Sequence, residues 1–334
     1  MTDTTSDGTR AADGGLQLSR VGLGCNNFGK FLDADRAAEL VSVALEEGVT
    51  LFDTADVYGD TDSETFLGRA LAGRRDEATI ATKFGVRFGR CPGGARPDEV
   101  RRSLEASLTR LGTDRVDLYQ LHYAGPPWLP EAVPVEDTLG ALDELVTEGK
   151  IRSIGCSNFT ADELRAAADA AQNRRLRPFQ VVQNEYSLLH RSPERDVLPA
   201  CRELGMLFVP YFPLASGLLT GKYRRGTDAP EGTRLHSGWT NWSGMASGEN
   251  FDLIDALDAF ATEHGRTLVE LALGYLLAQP AVPSVVVGAT KVEQVRSNAR
   301  SADWQLTADE LATVDAITAA TVDRPLRSAE LATS

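Results

Sequence analysis

Residues 37–59 read AAELVSVALEEGVTLFDTADVYG, and this stretch decides the architecture. Ala37, Leu40, Val41, Ala44 and Leu45 fall at i, i+3, i+4, i+7 and i+8, one apolar face of a helix, which Gly48 stops. A short apolar run, 49–52, follows and exits into Asp53, with Tyr58 on the same connection. A helix handing over to a short buried strand that ends in a carboxylate is one turn of a repeated βα pattern.

The pattern extends in both directions. Val100, Leu104, Leu108 and Leu111 make a second apolar stripe before Gly112, and Leu139, Leu142, Leu145 and Val146 make a third before Gly149. Thr160 with Glu163 and Thr307 with Glu310 form capping boxes, and Ser192 before Pro193 fits an N-cap followed by Pro at N1. Eight strands are expected, at 21–24, 49–52, 79–82, 116–121, 151–156, 180–183, 207–211 and 284–287. Eight strands alternating with helices, without a linker or composition break between them, predict a single closed (β/α)8 barrel with extra helices and long loops at its C-terminal face. The barrel domain is expected over 15–320, after a polar, disordered leader at 1–14 and before a tail at 321–334. The longest irregular stretch, 214–250, has the length of a functional loop.

Composition narrows the function. The 334 residues carry 34 Lys plus Arg against 48 Asp plus Glu, a net charge of −14. Such a surface repels polyanions, so nucleic acid is not the expected partner. Cys25, Cys91, Cys156 and Cys201 form no C-x-x-C pair, and the four His show no zinc-ligand spacing, so neither a disulfide framework nor a metal is expected. No apolar run approaches the ~18 residues of a membrane span, and a cytoplasmic location is expected.

In a barrel of this kind, polar residues at strand exits converge on one site. The exits here carry Asp53, Lys83, His122, Ser157 with Asn158, Gln183 and Tyr211. Packing alone would put Val, Ile or Leu at most of these places. Tyr58, with an ordinary pKa of about 10, is a poor acid, but a neighbouring ammonium favours the phenolate. Lys83 would then make Tyr58 a usable proton donor, Asp53 would hold Lys83 charged, and His122 would bond the substrate oxygen or share in a proton relay. A short-chain dehydrogenase arrangement does not fit, because Tyr58 and Lys83 stand on separate βα units. Gly22-Leu23-Gly24 also lacks the third glycine of a dinucleotide fingerprint.

Asp53-Thr54-Ala55 with Tyr58-Gly59, Ala81-Thr82-Lys83, Tyr119-Gln120-Leu121-His122, Gly155-Cys156-Ser157-Asn158, Gln183-Asn184-Glu185-Tyr186-Ser187 and Gly221-Lys222-Tyr223 occur in an order that resembles the aldo-keto reductases, from about Leu18 to Asp315. The resemblance implies a TIM barrel and a catalytic tetrad of Asp53, Tyr58, Lys83 and His122, with Tyr58 as the acid. It also implies NADPH across the barrel mouth, with NADH as the lesser cofactor. Ser157, Asn158 and Gln183 would hold the carboxamide, and Tyr211 would stack on the nicotinamide. Leu214, Gly217 and Lys222 would wrap the pyrophosphate, and Gly288, Thr290, Lys291, Gln294 and Asn298 would take the adenosine end, where the helix start near Lys291 offers free N–H groups.

The chain departs from the family's pattern in three places. Gly288, Ala289 and Gln294 stand where many members carry cations for the 2′-phosphate, Phe212 stands for a common Ser, and the segment 123–128 lacks an acidic residue. Phe28, Tyr58, His122, Trp128 and Trp239 are expected to meet a small-molecule carbonyl substrate, with Trp242 a further candidate for an apolar wall. An NADPH-binding regulatory subunit with little turnover, as in potassium-channel β subunits, and a dehydrogenase oxidising a sugar or alcohol stay open, as does assembly beyond a monomer.

Overall fold

Strands buried on both faces and helices buried along one face build one layer inside another. The computed structural model describes residues 10–11, 15–223, 225–229, 231 and 247–324. Its parallel strands are Val21–Gly24 (β1), Leu51–Asp53 (β2), Thr79–Phe84 (β3), Val116–Leu121 (β4), Ile151–Ser157 (β5), Val181–Glu185 (β6), Leu207–Tyr211 (β7) and Val285–Gly288 (β8). They pair in chain order from β1 to β7, and β8 pairs with β1. At the seam, the Phe208 N–H donates to the Ala281 carbonyl at 2.8 Å. This is the (β/α)8 TIM barrel that the repeats predict.

The helices Ala34–Glu46 (α1), Asp62–Ala70 (α2), Pro97–Leu111 (α3), Val135–Thr147 (α4), Ala161–Arg174 (α5), Val197–Leu204 (α6), Gly248–Glu263 (α7), Leu268–Leu277 (α8), Val292–Arg300 (α9) and Ala308–Thr318 (α10) lie between and after the strands. Thr160 and Thr307 cap α5 and α10 as their spacing predicts. The Ser192–Pro193 expectation is corrected. Ser192–Glu194 is a single 3-10 turn, and α6 starts at Val197. The buried Arg191 guanidinium holds that turn by bonding Glu194, Asp315 and Thr318, which ties it to α10.

The pleat explains the polar mouth. Leu51, Ala81, Leu118, Val181, Val209 and Val286, one from each of six strands, form one apolar layer together with Leu16 and Leu18. Side chains alternate with period two along a strand. The next positions of the same parity are Asp53, Lys83, Gln120, Gln183 and Tyr211, which stand one step toward the C-terminal mouth. An apolar floor therefore lies under a polar layer.

Strand β2 starts at Leu51 and takes in Asp53, later than the expected 49–52, because the Val49 N–H is engaged by the Ala44 carbonyl in the turn that ends α1. Within the expected leader, Arg10–Ala11 pairs antiparallel with Gln17–Leu18; residues 1–9 and 12–14 lie outside the described residues, as do 325–334 of the expected tail. No helix among the described residues is long and apolar enough to cross a membrane.

Candidate active site

The exits of β2, β3 and β4 bring four polar side chains together. Lys83, fully buried, donates from Nζ to both Asp53 oxygens at 2.8 and 2.7 Å and to the Thr54 carbonyl at 2.9 Å. Gln183 Nε2 donates to Asp53 Oδ1 at 2.8 Å. Lys83 Nζ lies 5.1 Å from the centroid of the Tyr58 ring, close enough for its charge to act on the phenol. The Tyr58 and His122 rings meet edge-on with centroids 6.1 Å apart. The expected quartet is thus one contiguous cluster.

Its electrostatics differ from the expectation in two respects. Burial of its hydroxyl pushes the Tyr58 phenol above its ordinary value, and Lys83 recovers only part of that shift. Lys83 therefore moderates the phenol rather than turning it into a phenolate, because removing the anion from water costs more than one ammonium returns. Burial likewise opposes the Lys83 charge, but Asp53 and Tyr58 together raise its pKa. For His122, burial and then the Lys83 charge both act downward, well below the usual imidazole value. That direction favours the neutral imidazole, the form that suits the hydrogen-bonding role of the two expected for His122. Its Nδ1 is buried without a hydrogen-bond partner.

Tyr58 and His122 stand on the floor of an open cleft of about 1570 Å³ at the C-terminal mouth. Residues 20–319 match the family described as Aldo/keto reductase family. The chain belongs to the aldo-keto reductase family. Among curated relatives, Aldo-keto reductase YhdN of Bacillus subtilis (strain 168) is 31% identical over 327 residues, 95% of each chain. Probable aldo-keto reductase 1 of Glycine max is 32% identical over 308 residues, 89% of this chain and 85% of the relative. Among solved structures, the glycerol dehydrogenase AKR11B4 from Gluconobacter oxydans superposes with TM-score 0.81 at 29% identity, over 96% of this chain and 98% of that one. An aldo-keto reductase from Klebsiella pneumoniae in complex with NADPH superposes with TM-score 0.74 at 26% identity, over 94% and 96%.

The reductase's other expected residues also line this cleft, but several are already engaged. Ser157 Oγ donates to the Gln183 carbonyl at 2.7 Å, and Asn158 Nδ2 donates to the His122 carbonyl at 3.1 Å. The Tyr211 hydroxyl donates to Asn158 Oδ1 at 2.7 Å. The groups expected to grip a carboxamide are therefore knitted to the tetrad through Gln183 and His122. At the expected N–H site near the start of α9, Gln294 Oε1 accepts from the N–H groups of Thr290 at 2.8 Å and Lys291 at 3.2 Å. Gln294 thus engages the two N–H groups that precede the helix, while no hydrogen bond among the described residues is made to the first-turn N–H groups of Val292 and Glu293. Gly288, Thr290, Lys291, Gln294 and Asn298 all line the cleft, and so does Glu293, a carboxylate beside Lys291.

Leu214, Gly217 and Lys222 lie in the cleft wall as expected, next to Ser216, which the sequence reading passed over. Ser216 Oγ is buried and unpartnered. Gly217 has φ +96, and a Cβ there would sit 2.7 Å from Lys222 Nζ. Trp128 stands at the rim, in a face-to-face run in which His122 stacks on Tyr123 at 5.2 Å and Tyr123 on Trp128 at 4.9 Å. Phe28 is corrected: it is fully buried in the core and does not line the cleft. Trp239 and Trp242 lie outside the described residues.

Two residues of the expected motifs take on roles that spacing does not reveal. Gln120, paired in register with Lys83, is fully buried and neither atom of its amide has a protein partner. Asp56, on the Tyr58 connection, is buried, and its carboxyl is pushed up to about 8, first by burial and then by the Glu64 charge, against Arg110 and Lys83. Between the ordinary carboxylate pKa and about 8, the folded state holds a proton that the unfolded chain has released. Stability contributed by Asp56 is therefore complete at acid pH and is lost as pH rises through that window. Asp56→Asn is expected to flatten the decline in unfolding free energy between about pH 5 and pH 8, read by urea titration at several pH values; an unchanged slope would refute the assignment.

Proposed function

We propose that this chain reduces the carbonyl of an aldehyde or ketone to the alcohol with NADPH, Tyr58 protonating the carbonyl oxygen. The observation that carries this reading is the buried Lys83, bonded to both Asp53 oxygens with its Nζ 5.1 Å from the centroid of the Tyr58 ring, behind the Asp53 and Tyr58 that line the cleft. When bound, the nicotinamide supplies the hydride. Tyr58 and neutral His122 face the place where the carbonyl oxygen must sit: one gives up a proton, and the other donates a hydrogen bond as negative charge develops. Lys83 stabilises the phenolate left behind, and Asp53 with Gln183 holds Lys83 in place.

The chain's own residues fit a dinucleotide. Tyr211 keeps its ring partly open to the cleft while Asn158 anchors its hydroxyl. Ser216 Oγ, an unpartnered buried hydroxyl, lies next to the Gly217–Lys222 cradle, where a pyrophosphate would satisfy both. Ser157, Asn158 and Gln183 hold the carboxamide end, and Lys291 is the cation nearest the adenosine end. With Glu293 beside it and Gly288, Ala289 and Gln294 in place of further cations, discrimination against NADH is weak in this reading. The NADPH in the Klebsiella pneumoniae structure supports the cofactor, and the name glycerol dehydrogenase on the Gluconobacter relative fits the reverse direction. A small-molecule substrate and a cytoplasmic location belong to the same reading.

The test is steady NADPH consumption on adding an aldehyde, by the wild type and not by Tyr58→Phe. For the cradle, Gly217→Ala forces a Cβ onto Lys222 at a left-handed φ and is expected to weaken NADPH binding about tenfold, the cost of about 1.4 kcal/mol of strain. Fluorescence titration reads it directly, and undiminished affinity would remove the cradle from the cofactor site.

A further inference from the structure

The cleft has two unlike halves, with Tyr58 and His122 between them. The connections after β5 to β8 supply hydroxyl, amide, ammonium and carboxylate groups beside the apolar Phe212, Leu214 and Val269, whereas those after β2, β3 and β4, apart from Asp60, supply Val57, Val86, Phe88, Tyr123 and Trp128. Phe88 is the most exposed large apolar side chain among the described residues, at 63%. A single exposed aromatic needs no explanation on an open surface. This one stands in the wall of the cleft, at the tip of a hairpin closed by two backbone hydrogen bonds between Phe88 and Cys91.

That hairpin is docked on the Tyr58 connection. The Arg90 backbone N–H donates to Asp60 Oδ1 at 2.8 Å, and its Nε donates to Asp60 Oδ2 at 3.1 Å. Its Nη2 donates to the Asp60 carbonyl and, at 2.9 Å, to Asp62 Oδ1. The Cys91 thiol donates to the Asp56 carbonyl at 3.2 Å. Gly89 passes so close that a Cβ would collide with Asp60 Oδ1. The clamped residues, Asp60 at φ +51 and Thr61 at φ +82, are left-handed non-glycines immediately after Tyr58 and Gly59. Such conformations persist only where their surroundings over-determine them, and they gather at functional sites. The clamp also occupies Asp60, the carboxylate on this side of the cleft.

We propose that the hairpin around Phe88 is the specificity element of this cleft, selecting carbonyl substrates with a planar apolar body that packs against Phe88. Arg90 is its positioning residue, locking hairpin and Tyr58 connection into one unit. A polyhydroxylated substrate finds few unengaged polar groups on this side, whereas an aromatic ring finds an apolar wall. The inference rests on the reductase reading above, and the experiment separates the two.

Rates of NADPH consumption are measured with benzaldehyde, propanal and glyceraldehyde. The wild type is expected to favour benzaldehyde over glyceraldehyde in kcat/KM. Phe88→Ala should lower the benzaldehyde-to-propanal ratio about fivefold, the size of one aromatic pair contact, through KM. Arg90→Ala should lower the same ratio and also reduce kcat for both aldehydes. An unchanged ratio in Phe88→Ala, or a wild-type preference for glyceraldehyde, would overturn the inference while leaving the reductase standing. Absence of turnover with all three aldehydes would overturn the reductase reading and the inference with it.

Discussion

Tyr58→Phe is expected to lower kcat for aldehyde reduction about a thousandfold, the contribution of one positioned general acid, while KM changes less than about threefold. The substitution removes one oxygen and keeps the ring, so the edge contact with His122 and the Lys83–Asp53 pair stay in place. A loss confined to kcat means that the hydroxyl acts in the transition state and not in binding. The direction of the phenol's shift adds a second readout. A phenol raised above its ordinary value remains protonated through neutrality. Reduction should therefore show no loss from Tyr58 deprotonation below about pH 9, while alcohol oxidation, which needs the phenolate, climbs with pH. Performing the titration in Asp56→Asn keeps the neighbouring carboxyl out of the profile. Retention of a tenth or more of wild-type kcat in Tyr58→Phe would remove Tyr58 from the acid's role.

Lys83→Met is expected to lower unfolding free energy by about 3 to 5 kcal/mol and to abolish turnover. The size follows from burial: the Lys83 and Asp53 side chains are only 1% and 4% exposed, and with the ammonium gone Asp53 keeps the Gln183 amide as its remaining side-chain donor. A surface pair would contribute less than about 1 kcal/mol. Adding Asp53→Asn to Lys83→Met removes the stranded carboxylate, so the double variant should recover stability without recovering activity. Urea unfolding of the three variants with NADPH consumption measured alongside checks both halves. A single variant as stable as the wild type would show that Asp53 is not uncompensated, and a double variant no more stable than the single would show that charge is not the cause.

Much of the barrel, and of the polar cluster at its mouth, was legible because both are written in short-range pattern. The stripe from Ala37 to Leu45 and the run into Asp53 specify a βα unit without reference to anything distant. Once eight such units close, strand exits share one mouth. The residues misplaced by spacing fail for a common reason. Phe28 follows the first strand and reads as a mouth residue, but its connection turns back and packs the ring in the core. Ser192 with Pro193 has the form of a helix start, but Arg191, drawn to Glu194 and Asp315, makes it a 3-10 turn. Phe88 and Ser216 carried no pattern at all. Their positions depend on where the Arg90 hairpin and the kinked segment 215–220 settle.

By itself, then, the chain's residue order specified helix and strand periods, the parity that lifts Asp53, Lys83, Gln183 and Tyr211 above an apolar floor, and which polar groups gather at the mouth. Only the tertiary structure decided in which direction Tyr58, Lys83 and His122 are shifted, that Gln294 engages the N–H groups just ahead of α9, and that one side of the cleft is apolar. Periodicity is a property of neighbours along the backbone, whereas desolvation and shape depend on atoms brought together from connections far apart in the chain.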